Sequence, residues 1–176
     1  ASTLKRPGGV DKVVVALKGA DVMAGTSGTE SAFAISRDEG KSFNDLSLID
    51  TLMTNLRDVT PALDGSKVYL ASDDGADLSL WRYASSWERV LSVQGKTDFI
   101  VRVAPENGDV VYVADKYSNL IYYTTDAGET KWSPRTCGLN IVDLAVEGKG
   151  DVAYAIASDG TVSESTNAGF IWSYPA

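Results

Sequence analysis

Three aspartates, Asp58, Asp98 and Asp143, fall on or beside short β-branched runs, and two arginines, Arg57 and Arg102, stand among them. Two carboxylates projecting into one channel could act as acid and base on a glycosidic bond if their environments drove their pKa values apart. The same acids could equally be solvated channel residues. Paired carboxylates come cheaply in a chain with 24 Asp and Glu against 16 Lys and Arg. The chain has no His, which removes Ser-His-Asp and Cys-His catalysis and zinc sites built on imidazole. Any catalysis would run on carboxylates, Tyr, Lys or Arg.

Two further constellations carry possible chemistry. In Ser72-Asp73-Asp74-Gly75-Ala76-Asp77, the carboxylates of Asp73, Asp74 and Asp77 offer oxygen enough for a calcium loop. The distal Glu of an EF-hand is missing, and a solvated hairpin answers the same pattern. No other metal or cofactor is expected. Tyr117, in the turn-like stretch Asp115-Lys116-Tyr117-Ser118-Asn119, is placed to stack on a sugar ring. Gly25-Thr26-Ser27-Gly28 lacks the Lys of a phosphate loop. Cys137 is alone, so it cannot form an intrachain disulfide, and it reads as a small buried residue.

At 176 residues the chain fits one domain with a real core. A net charge of −8 repels phosphate backbones and anionic lipid, so nucleic acid is not an expected partner. No run of 18 apolar residues exists, so insertion into a bilayer is not expected either.

The elements that must hold these residues announce themselves by repetition. Three stretches share one pattern: Ser36-Arg37-Asp38-Glu39-Gly40-Lys41-Ser42-Phe43, Thr124 to Trp132, and Ser165 to Trp172. Each has a hydroxyl residue, then Asp38, Asp126 or Asn167 two later, then Gly40, Gly128 or Gly169, and an aromatic at the end. The glycine supplies a positive φ, and the Asp or Asn accepts hydrogen bonds from the turn's own amides. The closing aromatics Phe43, Trp87, Trp132 and Trp172 step by 44, 45 and 40 residues, although the second unit keeps only Ser85-Ser86-Trp87 of the motif. Trp81, Trp87, Trp132 and Trp172 are therefore expected in the core.

The strands repeat with the same period. Lys67 to Ala71 returns as Val110 to Ala114 and as Val152 to Ile156, with tyrosines stepping by 43 and 42. Val13 to Leu17, Asp58 to Ala62, Ile100 to Ala104 and Ile141 to Ala145 precede them across Gly-bearing turns, and a third strand follows in each unit. A period near 40 made of four short strands predicts a β-propeller. The expected plan is an irregular lead-in over 1–9 and four-stranded antiparallel blades over 10–50, 55–96, 97–138 and 139–176.

The recurring octapeptide resembles the Asp-box, or bacterial neuraminidase repeat, and the resemblance covers 10–176. The third copy matches best, with Asn167 in place of Asp; the second carries an extra Lys131, and the first ends in Phe43. Sialidases, xyloglucan-cleaving glycosidases, sortilin-type receptors, photosystem II assembly factors and many secreted proteins share this repeat. The resemblance implies a propeller with its boxes at the periphery and an extracellular or periplasmic location. It implies no one activity. The Arg-Ile-Pro signature of sialidases is absent. Propellers of this kind usually close with six or more blades. Four blades imply a piece of a longer propeller, closure by a homodimer, or a ring of four.

The expectation is thus a binding or structural module for a glycan or protein surface, contacting it at Arg57, Asp58, Asp98, Arg102, Tyr117 and Asp143. If the protein is an enzyme, it is expected to be a glycoside hydrolase working through Asp58, Asp98 and Asp143.

Overall fold

A computed structural model describes residues 3–9, 11, 13–50 and 52–173. Every regular element among them is a strand. The first sheet holds β2 (Val13–Lys18), β3 (Asp21–Thr26), β4 (Ser31–Ser36) and β5 (Asn44–Asp50). The second holds β6 (Asn55–Pro61), β7 (Val68–Asp73), β8 (Leu78–Tyr83) and β9 (Trp87–Val93). The third holds β10 (Phe99–Ala104), β11 (Asn107–Asp115), β12 (Leu120–Thr124) and β13 (Lys131–Thr136). The fourth shows β14 (Ile141–Glu147), β15 (Val152–Ala157) and β16 (Val162–Ser165). Its expected outer strand runs into residues 174–176, outside the described residues.

Each sheet is an antiparallel meander, because tight turns join runs of β-branched and aromatic residues one after another. The first strands β6, β10 and β14 lie side by side, so sheets two, three and four stack face to face around them. Two apolar clusters fill the two junctions. Tyr69, Leu78, Leu80 and Val90 meet Val101, Val111, Val113 and Trp132 in one. Ile100, Tyr112 and Ile121 meet Ile141, Leu144, Ala155 and Trp172 in the other. Alternation along each strand gives the third sheet two apolar faces, one for each junction. The fold class is all-β, a β-propeller arrangement of antiparallel sheets.

The first sheet attaches differently. Its outer strand β5 runs edge to edge with β9 at the pair Asp45–Arg89, which merges sheets one and two into eight strands. The segment 1–9, where described, is also more than a lead-in. Strand β1 (Thr3–Leu4) adds to β13, and Gly8 donates its amide to Asp45. A Cβ on Gly8 would lie 2.3 Å from the Arg89 guanidinium, so the segment threads a space only glycine fits.

Candidate functional site

The three recurring turns occupy equivalent places, each following the third strand of its sheet. Ser36 donates its hydroxyl to Asp38, and Asp38 in turn accepts from the Lys41 and Ser42 amides and the Ser42 hydroxyl. Thr124 and Asp126 repeat the arrangement with Thr130, and Ser165 and Asn167 with the Ile171 amide. Burial works to raise the pKa of Asp38, but the Ser42, Ser36 and Lys41 donors outweigh it and bring it to about 2. The glycine is not the only left-handed residue in these turns. Glu39, Ala127 and Ala168, one place earlier, have φ of 62°, 56° and 59°. Nothing in their residue types signals this.

Of the closing aromatics, Trp132 and Trp172 are buried at the sheet junctions, and Trp132 donates its indole N–H to the Val90 carbonyl across one of them. Phe43 is half-buried. Trp87 departs from the expectation: it is 44 % exposed and tilts against Tyr83 at 5.4 Å. Without the full motif, the β8–β9 hairpin turns too tightly to drop its aromatic between sheets. Trp81, buried as expected, donates to the Ser72 hydroxyl.

The residues on or beside the first strands sort into two groups. Arg102 on β10 reaches to both neighbouring sheets, donating to Asp58 on β6 at 2.7 Å and to Asp143 on β14 at 2.8 Å. Asp58 also accepts from the Val101 amide, and Asp143 from the Leu144 amide. Arg57 does not join them; it pairs with the buried Asp73, which Asn55 also holds. Burial raises the Asp73 pKa, but the Arg57 and Asn55 hydrogen bonds outweigh it and keep it low. Asp98 faces Lys116 at 3.9 Å, and Lys116 lies 5.2 Å from the Tyr117 ring centre. Tyr117 is 66 % exposed with φ of 61°, and its amide is held by the Ile141 carbonyl at 2.7 Å. Its ring is therefore presented on a fixed backbone.

Asp73, Asp74 and Asp77 point to different tasks. Asp74 caps the Ala76 and Asp77 amides, Asp77 accepts from Gly95, and Asp73 serves Arg57. Among the described residues no group of three His, Cys, Asp or Glu could hold a metal ion. Cys137 is buried, which raises its thiol pKa.

Sequence reasoning missed a second charged cluster, where sheet one meets sheets two and three. Arg89 clasps Asp45 and also pairs with Glu30, while Arg82 binds Glu88 at 2.9 Å and Glu129 at 2.7 Å. Arg37 adds a contact to Glu88 at 3.0 Å, and Asn44 donates to Glu88 and Glu129. Lys5 donates to Asn44 and to the Gly128 carbonyl. Burial pulls the Lys5 pKa down to about 8, although Glu129 and Asp126 favour its charge. Arg82, Glu88, Arg89, Asn44 and Asp45 are all buried. The partners lie up to 123 residues apart, so no local spacing marks them.

No protein-family model matches the chain, and no curated protein does. Solved structures do resemble it. An ancestral GH74 enzyme aligns over 99 % of this chain and 25 % of its own, with 15 % identity and a TM-score of 0.55. The GH74 xyloglucanase from Xanthomonas campestris aligns over 88 % and 23 %, with 17 % identity and a TM-score of 0.51. YCF48 from Cyanidioschyzon merolae aligns over 92 % and 57 %, with 13 % identity and a TM-score of 0.51. These are β-propeller proteins, and at such identities the likeness is one of fold. The chain spans about a quarter of the GH74 enzymes' length and over half of that YCF48.

Proposed function

We propose that this chain is a binding or structural module of an Asp-box propeller, extracellular or periplasmic, recognising a glycan or protein surface without chemistry of its own. The recurring turns support the Asp-box reading, since each hydroxyl and acid or amide closes the turn that the motif calls for. Further blades or a second copy complete the ring.

The observation that carries the binding reading is the Asp58–Arg102–Asp143 bridge. One guanidinium hydrogen-bonds two of the three aspartates that a glycosidase would draw on, and each of the two also accepts a backbone amide. What is left on offer is the Tyr117 ring on its fixed loop, with Lys116 and Asp98 beside it. A rigid, exposed aromatic binds a sugar face or an apolar side chain at little entropic cost.

A glycan array and a pull-down test this together. Binding is expected, and Tyr117→Ala is expected to weaken it about tenfold, the loss of one stacked ring. The GH74 neighbours supply the rival reading. Turnover of a fluorogenic sialoside or glucan, abolished by Asp58→Asn or Asp143→Asn, would replace the module with a glycoside hydrolase. Retention of a protein and no glycan would narrow the reading to a protein surface, as the assembly-factor alternative requires.

A further inference from the structure

Segment 3–9 is held by the rest of the molecule as a ligand is held by a site. It crosses the ionic seam between sheet one and sheets two and three. Thr3 and Leu4 pair with Trp132 and Lys131 on the outer edge of β13. The Lys5 carbonyl accepts the Phe43 amide at 3.1 Å, and the Lys5 Nζ donates to the Asn44 side chain and the Gly128 carbonyl. Gly8 donates its amide to Asp45 at 3.0 Å and accepts from the Thr26 hydroxyl. Among the described side chains, none of this segment enters either apolar cluster.

Three features make this crossing selective. Burial and Arg82 work against the charge of Lys5, while Glu129, Asp126 and Glu88 around its socket work for it. Pro7 biases Arg6 to extended backbone and limits the freedom lost on seating. Gly8 and Gly9 pass where no side chain fits. A Cβ on Gly8 would strike the Arg89 guanidinium and the Glu30 carbonyl, and one on Gly9 would sit 2.5 Å from the Thr26 hydroxyl. The walls stand without the segment. Arg89 joins Asp45 and Glu30, Arg82 joins Glu129, and Asn44 donates to Glu129. A preformed groove with a lysine socket, in a chain of net charge −8, suits a basic extended peptide.

We propose that this seam is a peptide-binding groove, that segment 3–9 fills it as a tethered ligand, and that an extended peptide with Lys followed three and four places on by Gly exchanges with it. The β13 edge takes the first residues as an added strand, the Asn44–Gly128 socket takes the Lys, and the passage beside Arg89 takes the glycines. A segment held by two ladder pairs and a few side-chain bonds opens at lower cost than stacked sheets, so the groove is vacated without unfolding. The socket lies at the other end of β12 from Tyr117, so the proposal does not depend on the ligand assigned there.

A dye-labelled peptide copied from residues 1–9 tests this on the full chain by fluorescence anisotropy. Wild type is expected to take it weakly, because the tethered segment competes at an effective concentration of order millimolar. In Gly8→Ala the chain's own segment cannot seat, and the peptide is expected to bind at least about tenfold more tightly. A peptide carrying Lys5→Ala should bind about tenfold less well, the loss of its side-chain hydrogen bonds, and one carrying Gly8→Ala should not bind. A folded Gly8→Ala chain that takes no peptide, or takes all three alike, would overturn the proposal. So would a Gly8→Ala chain that does not fold by circular dichroism, since the segment would then belong to the framework. Hydrogen exchange in wild type needs no variant. The Phe43 amide, bonded to Lys5, should be at least about tenfold less protected than the Tyr69 and Val113 amides inside their sheets. Equal protection would mean that the segment leaves only on global unfolding, and would overturn the proposal as well.

Discussion

The molecule joins its sheets in two unlike ways. Between sheets two and three, and again between three and four, the seam is apolar, face to face and repeated, with a tryptophan and a tyrosine hydroxyl in the same places. Between sheet one and the rest it is ionic, edge to edge and unique, built on Arg82, Arg89, Glu88 and Asp45. The apolar seam needs only the right alternation in each strand, so it can be copied from unit to unit. The ionic seam works only if every buried charge finds a partner at once. It is specific to one place.

The comparison can be broken most sharply at the tryptophan. Trp132→Ala removes a fully buried ring and its bond to Val90, and is expected to cost about 3–5 kcal/mol in denaturant unfolding. An effect under about 1 kcal/mol would mean that the seam is not the main source of cohesion.

Arg89→Ala should follow, at about 3 kcal/mol, because Asp45 is then left buried without its cation. Replacing the pair together, Arg89→Met with Asp45→Leu, should recover part of that loss, since Glu30 and the Gly8 amide still lose their partners. A double variant no better than Arg89→Ala would show that shape, and not charge pairing, holds sheet one.

The smallest expected effect lies in acid. The folded pKa of Asp38 is near 2 against an ordinary value of 3.8, so its contribution is present above about 4 and is lost as pH falls towards 2. Glu88 adds in the same sense: burial raises its pKa, but Arg37 and Arg82 outweigh it and hold it low. The melting temperature should therefore fall between pH 4 and 2. Asp38→Asn should shrink that fall while keeping the turn, as Asn167 already does in the third copy. An unchanged acid profile in that variant would remove Asp38 from the account.

How much could be read in advance follows the same division. The strands, their order and the three turns were legible because each depends on near neighbours: β-branched runs, a glycine, a hydroxyl two places from an acid. The Asp58–Arg102–Asp143 bridge was half legible. Its members could be placed on inner strands, but the choice of Arg102 over Arg57 depended on which guanidinium reached both neighbouring sheets. Trp87 misled because its spacing fits the repeat while its shortened turn does not.

From its amino acids alone, then, this chain determined that it would make short antiparallel sheets at a fixed period, each pinned by a turn closing on its own backbone. Those are local interactions, and local chemistry is written in local spacing. Tertiary structure decided which faces stack, why sheet one hangs by its edge, and which carboxylates share a guanidinium. Those outcomes depend on groups up to 123 residues apart meeting in a buried place. There the cost of an unpaired charge selects the arrangement, and no short stretch of sequence carries that information.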